Sequence, residues 1–223
     1  MNVAGEVNSR PLLPDTYYVR CGKRLLDLVL AVFGIAALSP VMALCALLVK
    51  LSSPGPIIFV QTRVGREGEL FNILKFRTMI VDDDQAGHEV TAAGDRRITR
   101  IGKHLRKLKL DELPQLWNVF KGEMSLVGPR PEVPRYVAIY TKSQRQVLRV
   151  RPGITDAATL MYRHEEAVLA RNPNSEKYYK DVILPHKLEL NMQYLNRISF
   201  SYDLHLIFRT FWSVFSFGQA SVG

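Results

Sequence analysis

The sequence is short of cysteine and of acids, has one apolar run long enough to cross a membrane, and contains no internal repeat or low-complexity tract. Two cysteines in 223 residues exclude a disulfide framework, and no Cys or His spacing reads as a metal site. Cys21 lies beside a basic cluster and Cys45 inside the apolar run, a usage that suits a reducing, cytoplasm-facing location. Acids number 21 against 30 Lys and Arg, a formal net charge of +9, so the expected partners are anionic: nucleic acid, a charged membrane surface or a phosphorylated substrate. With 47% hydrophobic residues, the length suits one domain with a core plus an appendage.

The apolar run, "LVLAVFGIAALSPVMALCALLV", holds 22 residues from Leu28 to Val49 without a charge. At about 1.5 Å per residue a helix of this length spans a hydrocarbon core of about 30 Å. The polar residues before the run, its length and the lack of a small-residue cleavage pattern argue against a signal peptide. Ser39-Pro40 falls near the middle, where proline removes a backbone donor and predicts a kink, with the Ser39 hydroxyl as a local partner for the freed carbonyl. Arg20, Lys23 and Arg24 precede the run, and Lys50, Arg63 and Arg66 follow it, so the positive-inside rule gives no orientation. Spanning and re-entry to the same face stand level on physics alone, ahead of a buried soluble helix.

Residues 1–19 read as a loose polar tail, residues 20–51 as the membrane helix and residues 52–223 as the cytoplasmic part. Two strands, Ile57 to Val64 and Leu70 to Arg77, are expected around a turn with Gly65 and Gly68, and alternation puts Lys75 and Arg77 on one face. The stretch 82–95, with Asp82, Asp83 and Asp84, reads as a solvated loop, because consecutive carboxylates converge on an ion only through a sharp turn. From Arg96 to Lys109, Ile98, Ile101, Leu105 and Leu108 form a helical stripe among seven Lys and Arg. Such a helix packs on a core through the stripe, contacts lipid or phosphate through its cations, or does both. Pro129-Arg130-Pro131 holds an arginine on a stiff backbone, and Arg151-Pro152-Gly153 begins a second basic turn. The aromatic-rich end, from Tyr194 to Phe217, is read as an interfacial helix rather than a core one.

Asp111 and Glu112, in "LKLDELPQLWNV", follow this basic segment and precede a proline and an apolar stretch. The local pattern is that of a helix start, and it supports Asp111 as a plain N-cap with Glu112 as a first-turn acid. On the local pattern alone that plain reading is the better one; the alternative, which needs support from beyond the pair, is an ionised Asp111 that binds Mg²⁺ or attacks phosphorus, with Glu112 holding the metal or placing a proton acceptor.

Several strings together resemble the bacterial sugar transferases, the monotopic polyprenyl-phosphate phosphoglycosyl transferases: "KRLLDLVLA" with Ser39-Pro40, "GPIIFVQTRVG", "FNILKFRTM", "RITRIGKHLRKLKLDELPQLWNVFKGEMSLVGPRPEVP" and "VRPGIT". The likeness covers roughly residues 20 to 156. It implies a compact, membrane-associated α/β catalytic domain with interfacial amphipathic helices and a re-entrant helix bent at Ser39-Pro40, entering the inner membrane from the cytoplasmic face. The implied reaction moves a sugar phosphate from a nucleotide sugar, usually a UDP-sugar, to undecaprenyl phosphate, releasing UMP, as the first membrane step of glycoconjugate or exopolysaccharide assembly.

By the same likeness Asp111 is the covalent nucleophile of a ping-pong cycle and Glu112 its dyad partner, with Mg²⁺ held at the dyad. Arg106 and Arg130 match phosphate-binding positions, Lys75 and Arg77 less strongly, and guanidinium forks suit that task. After Thr155 the chain departs: the common Gly-Leu-Ala-Gln run reaching Asn-Gly-Arg is replaced by "DAATLMYRHEEAV", with Arg163 keeping the arginine's spacing and Asp156 standing for the glycine. The sugar is therefore not assigned, and the chain reads as a minimal single-module form. Its expected partners are the donor, the polyprenyl phosphate and membrane lipid, not nucleic acid; a homodimer is open. Two rivals remain: a membrane-anchored, non-catalytic module for anionic lipid or nucleic acid, and a metal-dependent phosphohydrolase.

Overall fold

The computed structural model describes residues 13–80, 95–163 and 165–215. Most of the 82–95 stretch and of the 1–19 tail lies outside them.

A π-helical turn, Tyr18–Gly22, leads without a break into α1, Lys23–Ser52. Pro40 sits inside α1 and does not end it. The bond it removes is the one to the Ala36 carbonyl, and the Ser39 hydroxyl donates to that carbonyl at 2.8 Å. Both halves of α1 pack on the same body. The first half brings Ala31 to Ile73, Val119 and Met124, and the second brings Cys45 and Val49 to Phe76 and Leu105. The outward side keeps Leu25, Val29, Phe33, Leu44, Leu47 and Leu51 more than half exposed.

A hairpin follows, β1 (Ile58–Val64) antiparallel to β2 (Leu70–Phe76), in register from Ile58 opposite Phe76 to Val64 opposite Leu70. Its turn passes through positive φ at Glu67 and Gly68. α2 (Arg100–Lys107) is shorter than the expected 96–109 helix. Ile98 is bridged to Met79 instead, Thr99 caps the helix by accepting from Gly102 N at 2.8 Å, and Lys109 at φ 57° ends helical geometry. α3 (Gln115–Lys121) then leads into β3 (Ser125–Val127), which pairs in parallel with β4 (Gly153–Thr155). The crossover between them carries Pro129-Arg130-Pro131 and α4 (Pro134–Val137). Beyond β4 come α5 (Ala157–Met161), α6 (Glu165–Ala170), α7 (Ser175–Tyr178), α8 (Leu184–Leu195) and α9 (Phe200–Phe215).

α8 and α9 close the core with Tyr194, Leu195, Ile198 and Leu206 around Val127. The opposite side of α9 leaves Phe200, Phe208, Phe211 and Trp212 at least half exposed, at spacings that put them on one helical face. The fold is thus mixed α/β with one long apolar N-terminal helix.

Candidate active site

The dyad stands on a single 3-10 turn, Leu110–Glu112, between α2 and α3. Lys109 in the left-handed region redirects the chain there, and Leu110 and Leu113 pack beside Cys45, Val49, Phe76 and Leu105. Asp111 and Glu112 are both buried, at 7% and 8% exposure. Neither caps α3, whose N-cap position is Pro114 and which has no side-chain cap. The N-cap reading of Asp111 is therefore not what the fold uses.

The two carboxylates face opposite circumstances. Glu112 takes the Arg130 fork on both oxygens, Nη2 on Oε1 and Nη1 on Oε2 at 3.3 Å, and also receives Lys75 Nζ on Oε1 at 3.4 Å. Burial alone would raise its pKa, but Arg130 and then Lys75 hold the carboxyl well below the ordinary value. Asp111 has its Oδ1 buried with no hydrogen-bond partner among the described residues. Burial, and next the charge of Glu112, push Asp111 above the ordinary carboxylate value, while Lys75, Lys109 and Arg106 oppose the rise. Burial also lowers Lys75 to about 8 despite the carboxylates beside it. One acid is thus fully engaged by cations and its neighbour keeps a free oxygen.

Arg130 is delivered by its loop. Arg63 Nη1 donates to the Pro131 carbonyl at 3.1 Å, and the Arg130 N–H donates to Asp156 Oδ2 at 3.0 Å. Arg106 reaches from α2 to an ion pair with Glu166 on α6, so both flanks of the dyad carry cations. Arg163 is half-buried between α5 and α6 and makes no ion pair among the described residues. Arg77 departs from the expected phosphate role. It follows β2 and turns its guanidinium to the end of α1, donating to the Ser53 carbonyl at 2.7 Å and to the Ser53 hydroxyl at 3.0 Å. Carbonyls at a helix end attract a cation, and Arg77 acts there as a C-terminal clamp.

Sequence reasoning missed three supporting residues. Asp156 was legible only as a departure, Glu166 only as an unremarkable acid, and Arg63 as one flank of the apolar run. Their partners lie 26, 60 and 68 residues away, distances at which no local pattern speaks.

A divalent cation fits this site in a sparse form. No group of three or more His, Cys, Asp or Glu that could hold a metal ion occurs among the described residues. Mg²⁺, however, is typically held by one or two carboxylates together with substrate phosphates and water, and the unpartnered oxygen of Asp111 offers such a ligand.

Comparison with known proteins agrees with the resemblance read from the motifs. The family model described as bacterial sugar transferase matches residues 18–217. A UDP-N-acetylgalactosamine-undecaprenyl-phosphate N-acetylgalactosaminephosphotransferase of Aeromonas hydrophila is 38% identical over 204 residues, covering 89% of this chain and 44% of that protein. A UDP-glucose:undecaprenyl-phosphate glucose-1-phosphate transferase of Escherichia coli (strain K12) is 37% identical over 219 residues, 92% of this chain and 44% of that one. A putative undecaprenyl-phosphate N-acetylgalactosaminyl 1-phosphate transferase of Bacillus subtilis (strain 168) is 39% identical over 160 residues, 70% of this chain and 86% of that one. The chain spans less than half the length of the first two relatives. With the family model matching nearly its whole length, the chain belongs to the bacterial sugar transferase family.

Proposed function

We propose that this chain is a phosphoglycosyl transferase that moves a sugar phosphate from a UDP-sugar to undecaprenyl phosphate through a covalent intermediate on Asp111. The observation that carries the reading is the asymmetry of the dyad: Glu112 is saturated by Arg130 and Lys75, and Asp111 retains a buried, unpartnered oxygen. A carboxylate clasped by two cations has little electron density to offer, whereas its neighbour, with raised basicity, is the better nucleophile. Asp111 attacks the phosphorus that bears the sugar, the bond to the bridging oxygen breaks, and UMP leaves with that oxygen. A phosphate oxygen of undecaprenyl phosphate then attacks the same phosphorus, frees the Asp111 carboxylate and yields a polyprenyl diphosphate sugar.

Arg130, Lys75 and Arg106 supply the positive charge that lets anionic phosphates approach two acids. Arg163, between α5 and α6, is assigned a phosphate contact by the family resemblance, in which it keeps the spacing of an arginine. Asp111, with Glu112 beside it, would hold Mg²⁺, which when bound neutralises diphosphate charge. The relatives' names carry different sugars, N-acetylgalactosamine and glucose, so the sugar of this chain is not assigned.

The covalent step suits the membrane setting, since a polar donor and a lipid acceptor can visit one site in turn. Re-entry of α1 is supported by anchorage of both its ends to one body. Near the start, Arg24 donates to the Val119 and Phe120 carbonyls at 2.7 and 2.9 Å, and buried Asp27 accepts from Leu126 N at 2.9 Å. At the end, Arg77 clamps Ser53. A spanning α1 would draw this polar body through the bilayer, which hydrocarbon opposes strongly. The exposed aromatic face of α9 supports an interfacial position for that helix, on the cytoplasmic face of the inner membrane.

The test is UMP release by the purified chain in nanodiscs with Mg²⁺ and a panel of UDP-sugars, with and without undecaprenyl phosphate. Lipid-dependent turnover is expected. Sustained turnover without lipid would identify a phosphohydrolase, and absence of UMP with every donor would favour the non-catalytic module.

A further inference from the structure

Proline has no backbone N–H, so the tripeptide Pro129-Arg130-Pro131 offers a single backbone donor, that of Arg130. Asp156 Oδ2 accepts it at 3.0 Å. The other oxygen of Asp156 accepts from Thr159 N at the head of α5. Asp156 is fully buried, at 0% exposure, and its two oxygens serve two different elements.

The surrounding loop has other ties to β4. Gly128 N donates to the Thr155 carbonyl at 3.0 Å, and Gly153 N donates to the Pro129 carbonyl at 2.9 Å. Those are backbone bonds that any side chain at 156 leaves in place. They fix the course of the loop just before Arg130, while the Asp156 carboxylate acts on the backbone of Arg130 itself. Pro131 already biases Arg130 toward extended geometry, and the Asp156 bond fixes the peptide plane from which the side chain departs. The guanidinium then reaches both oxygens of Glu112. Glycine at this position, as in the sequence pattern from which the chain departs, has no side chain to accept that N–H.

We propose that Asp156 is a positioning residue for the transfer reaction, holding the Arg130 backbone so that its guanidinium engages Glu112. This rests on the reading of Asp111 and Glu112 as the reacting dyad. The competing role is that of a helix cap alone. Serine separates the two: its hydroxyl caps helices about as well as aspartate does, keeping an acceptor for Thr159 N, but it lacks the second oxygen that Arg130 needs.

The experiment measures UMP release in the parent, Asp156→Ser, Arg130→Lys and the double variant, with thermal unfolding of each. Asp156→Ser is expected to lower kcat by about tenfold with the donor KM little changed, because a small displacement of a catalytic fork weighs on the transition state. The double variant is expected to fall no further than Arg130→Lys, since both substitutions break one chain of contacts. Parent-like kcat in Asp156→Ser, or losses that multiply in the double variant, would overturn the assignment. Asp156→Asn, closer in volume, serves if the serine variant unfolds; unfolding of both would mark a structural residue and also overturn it. A parent that releases no UMP would instead sink the proposed function on which the assignment stands.

Discussion

Two adjacent acids acquire different chemistry here because their neighbours differ. Glu112 is engaged by Arg130 and Lys75, and Asp111 is not. Lys75 is itself titratable near the working range, since burial lowers it to about 8. It is cationic below that value and neutral above it. If its charge helps receive the diphosphate, kcat/KM for the donor falls as pH rises through about 8. Lys75→Arg keeps the charge at all working pH, so the basic limb should move upward even if the peak rate drops; UMP release measured on both sides of that pH checks it. An unmoved limb would assign the titration elsewhere. At this scale the distinctive strings singled out Asp111, Glu112, Arg130 and Lys75, and the fold brings these four together. Arg77 shows where it stopped: alternation put it on one strand face with Lys75, but the strand ends at Phe76, and the buried guanidinium goes to the Ser53 carbonyl instead.

Secondary elements were legible in proportion to their length. The hairpin lies within one residue of the expected strands, since two apolar-rich runs of seven residues and two turn glycines leave little freedom. α1 was legible from its apolar run and extends to Ser52. The parallel pair β3 and β4 was not, as three residues each are too few to show a period. The shortened α2 has a tertiary cause. A Cβ on Gly102 would run into the carbonyl, carbon and Cα of Thr78, so α2 crosses the 77–79 segment in direct backbone contact. Gly102→Ala should therefore destabilise the fold by about 1–3 kcal/mol, as backbone overpacking does. At Gly34 an added Cβ meets only the end of the Leu116 side chain, at 3.3 Å, so Gly34→Ala should have a smaller effect. Chemical unfolding of both variants in one detergent compares them; equal effects would contradict the close α2 crossing.

For the whole molecule, the decisive feature is that one body grips both ends of an apolar helix. Cys21 is exposed before the apolar run, Cys45 is buried within it, and Glu67 is exposed in the hairpin turn after it. Re-entry puts positions 21 and 67 on one side of the membrane. A membrane-impermeant maleimide should label Cys21 in the parent and position 67 in Glu67→Cys with Cys21→Ser, both from inverted vesicles and neither from intact spheroplasts. Opposite accessibility of the two sites would establish a spanning helix. The positive charge of the chain fits this setting, with Arg24 and Arg77 closing the two ends of α1, Arg130 turned to Glu112 and Arg106 paired with Glu166 on α6.

The central claim, that Asp111 takes the phosphosugar covalently, is tested most directly by intact-protein mass spectrometry after mixing the chain with Mg²⁺ and its UDP-sugar in the absence of acceptor lipid. The account predicts one sugar-phosphate mass added per chain, mapped to the peptide containing Asp111, discharged on adding undecaprenyl phosphate and absent from Asp111→Asn. Full transfer activity in Asp111→Asn, or an adduct mapped to Glu112, would contradict it.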